Sequence, residues 1–214
     1  MNRVLFYGDS NVYGYDPRGM TGGRFEEDVR WTERVGDILR GEWRTYSNGV
    51  NGRIIPNNPY ALLSLDKTVL SLSPLDLFAV MLGTNDLLGM ADPESDQVAV
   101  RMRDFIEREV LRMEFRDNRT GILLIAPPRI LSRMDEFLQE CEAQRRRLAT
   151  QYDMIAQEFG LFFVDTGAWE LDMSFDGVHL SEEGHRQFAD HMAQELRELD
   201  LTAERRVVDE VVFA

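Results

Sequence analysis

Short runs of apolar, β-branched or aromatic residues recur five times along the chain. They cover residues 3–7, 43–47, 76–82, 121–126 and 161–165. Apolar residues recur at helical spacing in five other segments, which cover 32–40, 59–72, 95–116, 135–159 and 182–199. Strands that are apolar on both faces and alternate with helices are typical of a parallel sheet covered by helices on each side. The pattern therefore predicts an α/β protein.

No repeat, low-complexity segment or linker rich in Pro, Ser and Gly interrupts this alternation. The length of 214 residues and the 43% of hydrophobic residues fit one domain with a sizeable core, and we predict a single domain over 1–214. Residues 15–30 contain three glycines and no clean period, which indicates a long loop after the first strand. The apolar tail at 201–214 fits a docking strand and a partner contact equally.

The charge balance excludes several classes of partner. A formal net charge of −14 repels phosphate backbones and anionic lipids, so we expect binding neither to nucleic acid nor to membranes. No apolar run approaches the roughly 20 residues of a membrane span, and the first apolar run is too short for a signal peptide. We therefore expect a cytoplasmic protein. The single cysteine, Cys141, excludes an internal disulfide and lies in a predicted helix, where packing is favoured over reactivity.

The first apolar run stops at Gly8-Asp9-Ser10, which fits an ordinary strand-to-helix turn as well as the mount of a reactive serine. A serine hydroxyl is a weak nucleophile until a base takes its proton, so Ser10 would need a histidine. The chain has three of them, at positions 179, 185 and 191. The last two lie in the final predicted helix, where a surface or packing role is favoured.

His179 lies instead on a loop that leads into that helix, in the stretch D176-G-V-H. This spacing on a tight loop lets the carboxylate of Asp176 accept a hydrogen bond from the Nδ1–H of His179, which leaves Nε2 to face a nucleophile. Donors for a tetrahedral oxyanion are also required. The N–H of Ser10, the glycines of S47-N-G-V-N-G-R53 and the side chain of Asn85 are candidates, although each alone fits an ordinary turn. All follow predicted strands or the last loop, so they would converge at one sheet edge.

Together the ordered blocks G8-D-S-N11, G49-V-N-G-R53, G83-T-N-D86 and D176-G-V-H179 resemble those of the SGNH hydrolases, also called the GDSL esterase/lipase superfamily. Within it, the chain is similar to the small bacterial arylesterases and acetylesterases, some of which also transfer acyl groups to alcohols. Asn11 stands where the family name has leucine, at a position that is not catalytic.

The resemblance implies a flavodoxin-like three-layer α/β/α fold with a five-stranded parallel sheet in the order 2-1-3-4-5. It implies Ser10 as nucleophile, His179 as base and then acid, and Asp176 as the residue that orients it. The oxyanion hole would consist of the N–H groups of Ser10 and Gly52 and the side-chain amide of Asn85. No metal ion or organic cofactor is implied.

Gly52 is favoured over Gly49 because it precedes Arg53 at the spacing that this branch uses. Arg53 and Asp86, which adjoin the oxyanion residues, could brace their loops or touch substrate, and both alternatives stay open. The predicted substrate contacts are Asn11, Tyr13 and Trp31.

These observations predict a serine esterase that acts on a small-molecule substrate. We expect short-chain, acetyl-type esters of aryl, sugar or small alcohols, because the sequence has no extended apolar lid of the kind that interfacial lipases need. Acyl transfer to alcohols at the same site and a non-catalytic binding module on the same fold stay open as alternatives. Relatives of this branch assemble, so the resemblance also implies a homo-oligomer, with the 15–30 loop and the apolar tail residues 207–213 as contact surfaces.

Overall fold

The computed structural model describes residues 1–19, 22–110, 120–132 and 134–201. The strands are β1 (Asn2–Gly8), β2 (Tyr15–Asp16), β3 (Gly23–Arg24), β4 (Trp43–Gly49), β5 (Leu77–Met81), β6 (Gly121–Ala126) and β7 (Phe162–Asp165). Five of them form one sheet in the order β4-β1-β5-β6-β7, and all neighbours in it are parallel. Counted along the chain, these five strands have the order 2-1-3-4-5, so the predicted flavodoxin-like arrangement is confirmed.

Helices cover both faces of the sheet. They are α1 (Ser10–Tyr13), α2 (Trp31–Ile38), α3 (Pro59–Leu72), α4 (Thr84–Leu88), α5 (Ser95–Phe105), α6 (Glu136–Phe159) and α7 (Glu182–Glu198). A π-helical turn at Ile106–Val110 continues α5, and a 3-10 turn at Thr166–Ala168 follows β7. In the described parts of the chain, no helix combines the length and the apolarity that crossing a bilayer requires.

The alternation of side chains along the strands builds two cores. On β1, Leu5 and Tyr7 point into the layer that holds α3, α5 and α6, whereas Val4 and Phe6 point into the layer that holds α2 and α7. β5 and β6 divide their side chains in the same way. This is the physical reason why these strands are apolar at almost every position.

The 15–30 segment differs from the prediction. It contains the antiparallel pair β2–β3, in which Tyr15 pairs with Arg24 and Asp16 with Gly23. The Phe25 N–H then donates to the Gly14 carbonyl at 2.8 Å, which ties the ribbon back to the end of α1. Strands of two residues carry no recognisable period, so the pattern could not reveal them. The predicted helix beyond Val110 and the tail beyond Leu201 lie outside the described residues.

Three strands end level at one edge of the sheet. Gly8, the last residue of β1, pairs with Gly49 at the end of β4 and with Met81 at the end of β5. The connections that follow these strands therefore meet at a single edge, which is where parallel sheets bind ligands.

Candidate active site

Ser10 is the first residue of α1 and follows β1 after a single residue. That residue, Asp9, caps the helix by accepting the Asn11 N–H on Oδ1 at 3.0 Å. The helix closes after one turn at Gly14, whose φ of +79° lies in the left-handed region that glycine favours. A short turn of this kind fixes Ser10 at the sheet edge.

The three residues predicted as nucleophile, base and orienting acid form one hydrogen-bonded chain. His179 Nε2 lies 2.9 Å from Ser10 Oγ, and His179 Nδ1 lies 2.6 Å from Asp176 Oδ2. The other carboxylate oxygen of Asp176 accepts the N–H groups of Val178 and His179, each at 3.0 Å. Burial raises the pKa of Asp176, but these hydrogen bonds outweigh it and hold the pKa below the usual value. Asp176 is therefore an anion at neutral pH.

The loop that carries His179 is held from two sides. Leu131 N–H donates to Gly177 O at 2.7 Å, and a Cβ on Gly177 would come within 1.8 Å of the Leu131 carbonyl oxygen. In addition, the ring of Tyr15 lies against the His179 imidazole with 4.7 Å between centroids. The sequence analysis did not single out Tyr15, because its contact with His179 depends on the β2–β3 pair that the sequence pattern did not reveal.

The predicted oxyanion donors lie at the same edge. Gly52 is exposed, has a φ of +71°, and a Cβ added to it would meet no atom within 4 Å. In the part of the chain that the structure describes, the N–H groups of Ser10 and Gly52 have no protein acceptor. Asn85 lies in α4 and donates from Nδ2 to Arg53 O at 3.1 Å and to Asp9 Oδ2 at 3.4 Å. Two backbone N–H groups and one side-chain amide therefore lie in the turns that meet at the sheet edge with Ser10.

Comparison with known families decides the assignment. Residues 6–187 match the sequence profile of the GDSL-like lipase/acylhydrolase family. The chain belongs to this family. It is a carboxylic ester hydrolase, as predicted.

Solved structures agree with this assignment. A protein of Agrobacterium tumefaciens that was inferred to be an arylesterase shares 27% identity, with a TM-score of 0.79 over 94% of this chain and 100% of that chain. A carbohydrate acetylesterase family member from Sinorhizobium meliloti shares 25% identity, with a TM-score of 0.76 over 92% and 98%. The aryl esterase of M. smegmatis has the same fold, at 24% identity and a TM-score of 0.78 over 94% and 100%. No curated protein matches significantly.

Two charged residues beside the predicted oxyanion donors brace the hydrolase's loops. Arg53 donates from Nη1 to Gly8 O at 2.8 Å and from Nη2 to Asn48 Oδ1 at 2.6 Å, and its guanidinium carbon lies 4.0 Å from the centroid of the Tyr7 ring. Asp86 accepts the Ile55 N–H at 3.1 Å. These contacts tie the turn after β4 to the ends of β1 and β5.

Asp9 is a site residue that sequence reasoning treated only as part of a turn. It is buried and lies between the turn that carries Ser10 and the Asn85 amide. Burial raises its pKa to about 6, although the Asn11 N–H, His179 and Arg53 act in the opposite direction. Its position directly before Ser10 is visible in the sequence, but its burial is not.

Two of the three predicted substrate contacts require correction. Trp31 is fully buried in the hydrolase core and donates from Nε1 to the Asn11 carbonyl at 2.8 Å. Asn11 is only 2% exposed, and its side chain bonds to the backbone of the loop that carries His179. Neither has open surface for a substrate. Tyr13 is partly exposed under the Arg24 guanidinium, at 4.6 Å, and its contact with substrate stays a prediction.

The remaining candidates lie apart from the triad. His191 is exposed and stacks on Trp169 with 4.9 Å between centroids, whereas His185 is buried inside α7. Cys141 is buried, and burial together with the nearby carboxylates raises its pKa to about 11, so it remains a thiol. Among the residues that the structure describes, no group of three or more His, Cys, Asp or Glu is arranged to hold a metal ion.

Proposed function

We propose that this hydrolase cleaves short-chain, acetyl-type esters of aryl, sugar or small alcohols through an acyl-serine intermediate. One observation carries the serine mechanism: the continuous chain from Ser10 Oγ through His179 to Asp176, with distances of 2.9 and 2.6 Å. A neutral imidazole in this position can accept the hydroxyl proton on Nε2 while Nδ1–H faces the carboxylate.

The reaction starts with attack of Ser10 Oγ on the ester carbonyl carbon as its proton passes to His179 Nε2. The carbonyl π electrons move to oxygen, and the ionised Asp176 stabilises the imidazolium. When the tetrahedral intermediate collapses, the bond to the alcohol oxygen breaks and His179 gives its proton to that oxygen. Water then attacks the acyl-serine by the same steps, which releases the acid and regenerates Ser10.

The oxyanion would face the N–H groups of Ser10 and Gly52 and the amide of Asn85. Both protons of the Asn85 amide are engaged in the free protein, at 3.1 Å to Arg53 O and 3.4 Å to Asp9 Oδ2. A negatively charged oxygen is the stronger acceptor, and it would replace the longer contact while the shorter one keeps the amide oriented.

The substrate class rests on relatives. Two of the structural neighbours that share 25% identity or more are described as a carbohydrate acetylesterase family member and an inferred arylesterase. The first description supports acetyl esters of carbohydrates and the second supports esters of aryl alcohols, and both kinds of ester fall within the predicted substrate range.

A fluorophosphonate probe followed by peptide mass mapping tests the mechanism. We expect labelling at Ser10, no labelling of Ser10→Ala, and a loss of p-nitrophenyl acetate turnover of about a thousandfold or more in that variant. Ser71→Ala, on the exposed face of α3, is the matched control and should behave like the wild type. Near wild-type turnover by Ser10→Ala would disprove the mechanism. Turnover that rises from p-nitrophenyl acetate through octanoate to laurate would overturn the short-chain assignment.

A further inference from the structure

Asn11 touches both peptide groups that flank the base. Its Nδ2 donates to the Val178 carbonyl at 3.1 Å, and its Oδ1 accepts the Leu180 N–H at 2.9 Å. Val178 and Leu180 are the residues on either side of His179. One amide therefore spans the backbone that carries the imidazole.

The Asn11 side chain, which we call the clamp because it bonds to both sides of His179, is itself held in place by backbone hydrogen bonds. Asn11 donates its own N–H to Asp9 Oδ1 at 3.0 Å and accepts Trp31 Nε1–H on its carbonyl at 2.8 Å. Asn11 and Leu180 are both buried, so water has little access to the bond between them. A buried amide that makes two hydrogen bonds restrains its partners more than an exposed amide does, because breaking these hydrogen bonds leaves buried polar groups without partners.

We propose that Asn11 is a positioning residue for His179, an inference that rests on the proposed serine mechanism. Ser10 and Asn11 are consecutive, so the nucleophile and the clamp move together. The bonds from Asp176 shape the His179 loop internally, but they leave open how far that loop lies from Ser10. Leu131 and Tyr15 also contact this loop, but the Asn11 amide ties it to the turn that carries Ser10, because a shift of the loop away from Ser10 breaks the Asn11 bonds to Val178 and Leu180.

Leucine at this position would fill a similar volume without any hydrogen bond. The Leu180 N–H and the Val178 carbonyl would then lack their partner, and the loop could recover hydrogen bonds only by shifting or admitting water. Either response would displace the imidazole from Ser10 Oγ. The expected result is weaker activation of the serine in a protein that still folds.

Asn11→Leu tests this inference against Gln144→Leu. Gln144 is also a buried amide that accepts a backbone N–H from another element, that of Ser95 at 3.0 Å, but it lies on α6 outside the site. The readouts are the rate of fluorophosphonate labelling, the kcat and KM for p-nitrophenyl acetate, the downfield proton resonance of the His179–Asp176 bond, and the unfolding midpoint. Labelling is measured without substrate, so it reports how well Ser10 is activated.

We expect labelling of Asn11→Leu to slow by about tenfold to a hundredfold, the range that corresponds to losing buried hydrogen bonds. Its kcat should fall with little change in KM, and the His179 resonance should shift or broaden. Gln144→Leu should lower the unfolding midpoint while leaving labelling and the resonance as in the wild type. If Asn11→Leu does not fold, Asn11→Ala decides, since the smaller side chain admits water to both backbone groups.

Labelling of the folded variant at the wild-type rate, with an unchanged resonance, would overturn the inference. Equal slowing of labelling in Gln144→Leu would also overturn it, since the effect would then follow from general destabilisation. Failure of the wild type to label at Ser10 would instead refute the serine mechanism, so the two failures are distinguishable.

Discussion

The backbone of Tyr13 lies directly on Gly49, because a Cβ on Gly49 would come within 2.1 Å of the Tyr13 nitrogen and 2.5 Å of its Cα. The last residue of β4 is therefore glycine so that α1, and with it Ser10, can approach the sheet edge. Gly52 is glycine for another reason, since it has open space around it and a φ of +71°. The two candidate glycines of the motif therefore have different roles: Gly49 permits close packing, and Gly52 permits a left-handed backbone.

This difference predicts opposite outcomes for two alanine substitutions. Gly49→Ala should lower the free energy of unfolding by about 2–3 kcal/mol or more and displace Ser10, so that turnover falls by about tenfold or more. Gly52→Ala should cost about 1–2 kcal/mol for the left-handed backbone and keep its N–H, so turnover should stay within a few-fold. Urea unfolding and p-nitrophenyl acetate assays measure both effects. Equal stability of the two variants would contradict the packing argument.

Asn85→Ala should lower kcat by about a hundredfold to a thousandfold with little change in KM, because the amide would act mainly on the oxyanion of the transition state. Asn58→Ala is a matched control. Asn58 caps α3 by accepting the N–H groups of Tyr60 and Ala61, each at 3.1 Å, and it lies outside the site. Asn58→Ala should lower the free energy of unfolding by about 1 kcal/mol and leave turnover unchanged. Turnover of Asn85→Ala within a few-fold of the wild type would show that the amide only bridges Arg53 and Asp9.

The raised pKa of Asp9 makes the free energy of unfolding decrease as pH rises from about 4 to 6. In the unfolded chain this carboxyl ionises near its ordinary pKa of 3.8, whereas the folded protein holds the proton up to about pH 6. Between these values the folded state binds more protons, so the free energy of unfolding decreases with pH, by about 3 kcal/mol in all. Asp9→Asn removes this titration. Relative to the wild type, the variant should gain about 1 kcal/mol between roughly pH 5 and pH 7.5 in urea unfolding. A constant difference between the two proteins would rule out the raised pKa.

His185 has the opposite effect. Burial, with help from Arg30 and His179, lowers its pKa from 6.5 to about 3. Below pH 6.5 His185 binds a proton in the unfolded chain but stays neutral in the folded protein. The free energy of unfolding therefore decreases as pH falls from 6.5 toward 3. Between roughly pH 7.5 and pH 5, the free energy of unfolding should fall by about 2 kcal/mol less in His185→Leu than in the wild type. Its Nε2 has no partner among the described residues, and its Nδ1 accepts the Trp31 N–H at 3.4 Å, so leucine forfeits one long hydrogen bond whose loss does not depend on pH. An unchanged pH slope in urea unfolding would contradict the neutral histidine.

Much of the fold followed from the sequence because the decisive patterns are local. The run at 121–126 is apolar at nearly every position, and the structure has β6 at Gly121–Ala126. The placement of His179 also followed from local features, since it is the one histidine that precedes a capped helix. The structure brings it to Ser10, 169 residues away.

The predictions that failed concern contacts between distant segments. Asn11 and Trp31 were expected to face substrate, but Asn11 bonds to Leu180 and Trp31 packs in the core. Burial of a polar side chain depends on which partner folds over it, and no local pattern carries that information. The raised pKa of Asp9 has the same origin, because it follows from the depth at which the turn lies.

The separation of 169 residues between Ser10 and His179 also sets when the site forms. During synthesis on the ribosome, the serine emerges long before its base, so the nascent chain carries a hydroxyl that nothing activates. Under the proposed serine mechanism, activity therefore requires the loop that carries His179 to have folded onto the turn that carries Ser10. In a refolding time course, the return of fluorophosphonate labelling reports that closing contact rather than the formation of the sheet.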